Sequence, residues 1–186
     1  MPELSYEDRS NAFVQRRKKL MDEIRTFLME ANLKGYAAGS AAKKTKESDG
    51  SETIVHENGD WKFHDNYFGG EPFGGREVVF FQGKPVWIMV YYGRVLHGAK
   101  PERIYPILME ALRAMPDEAP YRGPKEYVSG DYLYKNSWFE LNDDLSLFSG
   151  NESISFRGLT EYECQYHGGF VDEHRDELFN QVFKPI

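Results

Sequence analysis

Residues 162–169 read YECQYHGG. Two side chains in this run could do chemistry: Cys164 as a thiolate nucleophile and His167 as a general acid or base. In a strand, side chains alternate between faces. His167 therefore shares a face with Glu161, Glu163 and Gln165. Two carboxylates and an imidazole on one face could line the cleft of a hydrolase or transferase, with His167 working beside Glu161 or Glu163. The plainer reading is that this face meets solvent, because polar alternation is what a half-exposed strand shows. Cys164 points the other way, between Tyr162 and Tyr166, and reads as a small buried hydrophobe.

Other chemistries find less footing. The five histidines, at 56, 64, 97, 167 and 174, have no short ligand spacing of the HxxxH kind, so no metal site is expected. The glycine-rich FGGEPFGG (68–75) lacks the GxxxxGK[ST] pattern of a phosphate loop and reads as a tight connection. No cofactor is expected. Arg94 and Arg122 each follow an aromatic residue close to a glycine, and could hold an anion or form surface ion pairs.

These residues must be positioned by helices and strands. Residues 12–33 carry apolar groups at helical spacing, with RRKK on the polar side. The small, polar stretch 37–51 reads as a long mobile loop. TIVHENGDWKF predicts a hairpin turning at Asn58-Gly59, with His56 opposite Trp61 and Ile54 opposite Phe63. EVVFFQGKPVWIMVYYG predicts a second, turning at Gly83-Lys84. Its strands are apolar on both faces, which implies cover on both sides. A second helix is expected over 102–115, strands over 131–141, 152–157 and 160–167, and a C-terminal helical tail over 173–186.

The chain also matches itself. FGGREVVFFQGKPVWIMVYYG (73–93) set over FSGNESISFRGLTEYECQYHG (148–168) gives seven identities in 21 positions, Glu77/Glu152, Gly75/Gly150 and Tyr91/Tyr166 among them. The internal repeats run from about 18 to 97 and from about 100 to 172. A residue kept in both copies is expected to serve the fold; one that differs is freer to serve function. His167, which stands where the first copy has Tyr92, becomes the functional part of YECQYHGG.

A formal charge of -7 lacks the basic footprint of a dedicated nucleic-acid binder. One cysteine permits no intramolecular disulfide and fits a reducing compartment. The N-terminus shows no secretory signal and no apolar run spans a bilayer, so a cytoplasmic protein is expected.

FGGEPFGG, GKPVWIMVYYGRV, PYRGP and YECQYHGG, in this order, resemble an uncharacterised bacterial family, one of the numbered domains of unknown function. Its members occur alone or attached to a helix-turn-helix DNA-binding domain. The resemblance implies a ligand-sensing or regulatory module and supplies no catalytic residues. The N-terminal region here offers one helix, too little for a helix-turn-helix unit.

The expectation is thus a single α+β domain: a twisted, mainly antiparallel sheet built from two pseudo-symmetric copies of a helix-plus-strands unit. Its expected function is small-molecule binding or regulation, in an aromatic-lined cleft between the halves. The contacts expected there are Trp87, Tyr91, Tyr92, Arg94, Arg122, Tyr166 and His167. A homodimer or regulatory protein partner is compatible with this; direct nucleic-acid or membrane binding is not expected. Besides the enzyme built on His167, a third reading is a protein-interaction module using the 37–51 loop and its lysines.

Overall fold

A computed structural model describes residues 6–35, 43–96, 98–141 and 145–171. The elements run α1 (Tyr6–Lys34), β1 (Lys44–Lys46), β2 (Glu52–Asn58), β3 (Trp61–Phe68), β4 (Phe73–Phe81), β5 (Lys84–Val95), α2 (Pro101–Arg113), β6 (Glu126–Ser129), β7 (Tyr132–Glu140), β8 (Leu147–Phe156) and β9 (Leu159–Phe170). All nine described strands join one sheet, in the order β1-β2-β3-β4-β5-β9-β8-β7-β6. Every neighbouring pair is antiparallel.

This corrects the expected α+β fold of two helix-plus-strands copies. The molecule is mostly one antiparallel sheet, with two described helices of 29 and 13 residues. The physical reason lies in the alternating aromatic and β-branched residues, which continue through nearly all of 52–95 and 126–170. Backbone donors and acceptors are then satisfied along one continuous sheet, with register shifts at Val79/Phe80 and Ile154/Ser155. The sheet crosses the middle of the chain where β5 pairs with β9 over nine residue pairs, Trp87↔Phe170 to Val95↔Tyr162.

One face of the sheet is the core. Phe63, Val79, Trp87, Met89, Phe148, Ile154, Tyr162, Cys164 and Tyr166 project from it and are buried with Leu20, Ile24, Phe27 and Leu28 of α1 and Ile104, Leu108, Ala111 and Leu112 of α2. Among the described residues both helices pack on this face. Among the described residues no helix covers the other face of the second hairpin, where Val78 is buried, Ile88 and Val90 are half-buried and Tyr92 is exposed. An aromatic stack anchors the centre. The Tyr121 and Phe148 rings lie 3.9 Å apart, and Trp87 lies 5.4 Å from Phe148. Each such contact is worth about 0.5–1.5 kcal/mol beyond burial of its area.

Turn chemistry fixed the hairpins one residue away from expectation. Phe81 pairs with Lys84, so the second hairpin turns at Gln82-Gly83, both with positive φ (49° and 79°). Arg157-Gly158 repeats this, at 48° and 84°. Two successive positive φ values are what a two-residue turn matched to strand twist requires. In the first hairpin Asn58 pairs with Trp61, His56 with Phe63 and Ile54 with Asp65. The slip from the expected register is two residues, so each side chain keeps its face. His56 stacks on Phe27 at 5.7 Å and lies 3.2 Å from Glu30 rather than partnering Trp61.

The 37–51 stretch is not wholly loop, because β1 pairs with β2 through Lys44↔Ile54 to Lys46↔Glu52. Residues 36–42 and the expected tail helix (173–186) lie outside the described residues. Among the described residues no helix is long and apolar enough to cross a membrane.

Candidate functional site

The core face carries acids where an apolar stripe would be expected. On β3 that face reads Trp61, Phe63, Asp65, Tyr67; on β4 it reads Phe73, Gly75, Glu77, Val79. The register sets Asp65 directly opposite Glu77. The matching position further along the sheet holds Asn136 opposite Glu152, on β7 and β8. All four are buried, with exposures from 0% to 5%.

A tyrosine braces each pair. The Tyr91 hydroxyl donates to Asp65 Oδ1 at 2.6 Å, and the Tyr166 hydroxyl donates to Asn136 Oδ1 at 2.8 Å. Each ring lies across a glycine. A Cβ on Gly75 would stand 2.7 Å from Tyr91 Oη, and one on Gly150 would stand 2.3 Å from Tyr166 Cζ. Only a residue without a side chain lets these rings reach their partners.

The two pairs then diverge. Glu152 Oε1 accepts from Arg122 Nε (3.1 Å), Arg122 Nη2 (2.6 Å) and the Tyr162 hydroxyl (2.9 Å). Its Oε2 accepts from the Tyr134 hydroxyl at 2.6 Å. Arg122 and Glu152 thus form a buried ion pair with its charge locally matched. Tyr134 and Tyr162 flank Ile154, two residues after Glu152. The corresponding neighbours of Val79, two residues after Glu77, are Phe63 and Trp87. They give Glu77 no hydrogen bond, and among the described residues neither of its carboxyl oxygens has a partner.

An uncompensated buried carboxyl resists ionisation. Burial, then the nearby Asp65, push the Glu77 pKa well above the usual carboxyl range, while Arg122 opposes them. Burial also raises Asp65, to about 6, against the Tyr91 hydrogen bond and the Arg122 charge.

Asp65, Glu77 and Tyr91 line a cavity of about 580 Å³. The sheet also contributes Glu52, Ile54, Tyr67 and Phe73, and α2 contributes Tyr105, Leu108, Met109 and Leu112. Arg122 reaches it from the segment after α2, and Lys44 from β1. The Tyr105 hydroxyl donates to Glu71 Oε2 at 2.5 Å, and Glu71 Oε1 accepts the Val95 N–H at 2.7 Å. These bonds hold α2 to the FGGEPFGG turn. The Tyr67 hydroxyl donates to Glu52 Oε2 (2.5 Å), and Lys44 Nζ lies 3.9 Å from that carboxylate.

The residues expected from sequence fall into three places. Tyr91 and Arg122 line the cavity. Trp87 and Tyr166 are buried in the aromatic core. Tyr92, Arg94 and His167 lie on the opposite face, with Tyr92 and His167 exposed. Arg94 Nη2 pairs there with Glu163 at 2.7 Å. Glu161, Glu163 and His167 share that face, and no hydrogen bond joins His167 to either acid among the described residues. Glu163 and His167 are four residues apart on one strand, roughly 13 Å. Cys164 is buried, and burial pushes its thiol up to about 12, so it stays protonated near neutral pH.

Asp65, Glu77, Tyr67, Glu52 and Tyr105 are not among the residues expected from sequence. The available signal was an acid on a strand face otherwise made of Phe, Gly and Val. Glu77 recurs as Glu152, and a residue kept in both copies is expected to serve the fold. Its surroundings, rather than its identity, separate the two positions. Among the described residues no group of three or more His, Cys, Asp or Glu is placed to hold a metal.

No curated protein and no solved structure matches the chain. A family model described as Domain of unknown function (DUF5680) matches residues 65–171. That span begins at Asp65 and includes Glu77, Tyr91, Tyr105, Arg122 and Glu152; Lys44 and Glu52 precede it. With more than half its length matched, the chain belongs to the family of the domain of unknown function DUF5680.

Proposed function

We propose that this protein binds a small organic molecule in the cavity between the β2–β5 core face and α2. The observation that carries this is Glu77, a fully buried carboxyl in the cavity lining with neither oxygen partnered among the described residues. Buried polar groups normally find partners, because leaving one without costs about 1–3 kcal/mol. A cavity of about 580 Å³ falls in the range of small-molecule sites. Its mixture of aromatic, aliphatic and converging polar groups also fits such a site. The reading is of a binding or sensing module whose site lies mainly over the earlier strands, with Arg122 reaching in from beyond α2.

A thermal-shift screen of small metabolites tests it, since a ligand that binds only the folded state raises the melting temperature. Met109 lines the cavity and is only half-buried. Met109→Trp should therefore fill the space with little harm to the core. Hits whose shift disappears in Met109→Trp are expected. Hits that all persist in that variant, or a screen with none, would overturn the reading.

A further inference from the structure

We infer that the ligand presents a cationic nitrogen group, an ammonium or amidinium, to Asp65 and Glu77, with an aryl or alkyl body beneath α2. This rests on the binding reading above and adds its chemical class. Among the described residues the acids at the cavity are Glu52, Asp65 and Glu77, and the bases are Lys44 and Arg122. Both bases are already engaged, Arg122 with Glu152 at 2.6 Å and Lys44 near Glu52 at 3.9 Å. The remaining two carboxyls face each other across β3 and β4.

Among the described residues Asp65 has one donor, Tyr91, on Oδ1, and Glu77 has none. An anion would meet two acids. A neutral apolar body would leave Glu77 as it is. A cation carrying two or more N–H groups supplies both the missing donors and the missing charge. Phe73, whose ring centroid is 6.1 Å from that of Tyr91, adds an aromatic face of the kind that attracts cations; the Tyr91 ring already has the Arg122 guanidinium 5.9 Å from its centroid. Leu108, Met109 and Leu112 supply the apolar side.

The test uses the full chain and matched probes at millimolar concentration: phenethylamine and benzamidine, their neutral counterparts phenethyl alcohol and benzamide, and the carboxylate phenylacetate. Calorimetric titration and thermal shift are read for the wild type, Glu77→Gln and Met109→Trp. The cations are expected to bind the wild type. Glu77→Gln should weaken them by about tenfold or more, the scale of one charge-assisted hydrogen bond, and leave neutral probes unchanged. Met109→Trp should abolish both. Neutral or carboxylate probes binding in preference to the cations, with sensitivity to Met109→Trp, would overturn the inference and leave the cavity reading standing. Failure of both cations to bind, or binding that Glu77→Gln does not alter, also overturns it. If no compound in the wider screen is sensitive to Met109→Trp, the cavity reading itself falls.

Discussion

The β3–β5 and β7–β9 meanders place the same kind of residue at the same register positions, yet they treat a buried glutamate in opposite ways. In β7–β9, Glu152 is surrounded by Arg122, Tyr134 and Tyr162 and forms part of a closed hydrogen-bonded core. In β3–β5, Phe63 and Trp87 stand where the two tyrosines would be, and Glu77 is left in the lining of a cavity. A buried network whose members are all satisfied rigidifies a core, whereas a half-satisfied one is held at a cost. A carboxyl kept without partners in a cavity fits a ligand site better than a structural one.

Breaking the closed side should have the largest effect. Arg122→Ala leaves Glu152 buried without its counter-charge and should lower the unfolding free energy by about 3–5 kcal/mol in chemical denaturation. The open side should instead reveal itself through pH. The Asp65 pKa is raised by folding, so the folded state binds more protons than the unfolded chain above pH 4. Stability contributed by this group is full below the unfolded value and is lost as pH rises through about 6. Glu77 acts in the same direction. A fall of about 2–3 kcal/mol across this window is expected for Asp65, and Asp65→Asn should flatten it.

Smaller changes sharpen the contrast. Tyr166→Phe leaves Asn136 Oδ1 without the Tyr166 donor and should cost about 1–2 kcal/mol at any pH. Tyr91→Phe removes the donor to Asp65, so its cost should grow with pH as that carboxyl ionises. Arg94→Ala, on the exposed face, breaks an ion pair between side chains 54% and 48% exposed. It should change stability by less than about 0.5 kcal/mol.

Much of the sheet was legible. Alternation located seven of the nine strands at least in part, and parity put Cys164, Tyr162 and Tyr166 on the inner face, where they are buried. The helices were legible from their spacing, with Ile104 added to the buried face of α2. The registers were less so, because Asn-Gly and Gly-Lys admit neighbouring turn frames until cross-strand contacts choose one. The short edge strands β1 and β6 carry little periodicity and were not foreseen as strands.

The candidate site was legible only at Tyr91 and Arg122. Arg122 sits in an irregular segment, PYRGP, and its reach to Glu152 depends on how α2 returns the chain across the sheet. His167 drew attention by chemical type, but its parity places it on the face away from the cavity. For Glu77, identity with Glu152 concealed the difference, because what differs is the pair of residues flanking each acid on adjacent strands.

The opposed roles of these two glutamates can be measured directly, by comparing the stabilities of Glu77→Gln and Glu152→Gln at neutral pH. Both changes keep the shape and remove the acid. Glu77→Gln should raise the unfolding free energy, since the amide has no charge to lose and needs no proton taken up on folding. Glu152→Gln should lower it by about 3–5 kcal/mol, since Arg122 is left buried without its carboxylate. Loss of stability of similar size in both variants would contradict the account, because Glu77 would then be as firmly partnered as Glu152.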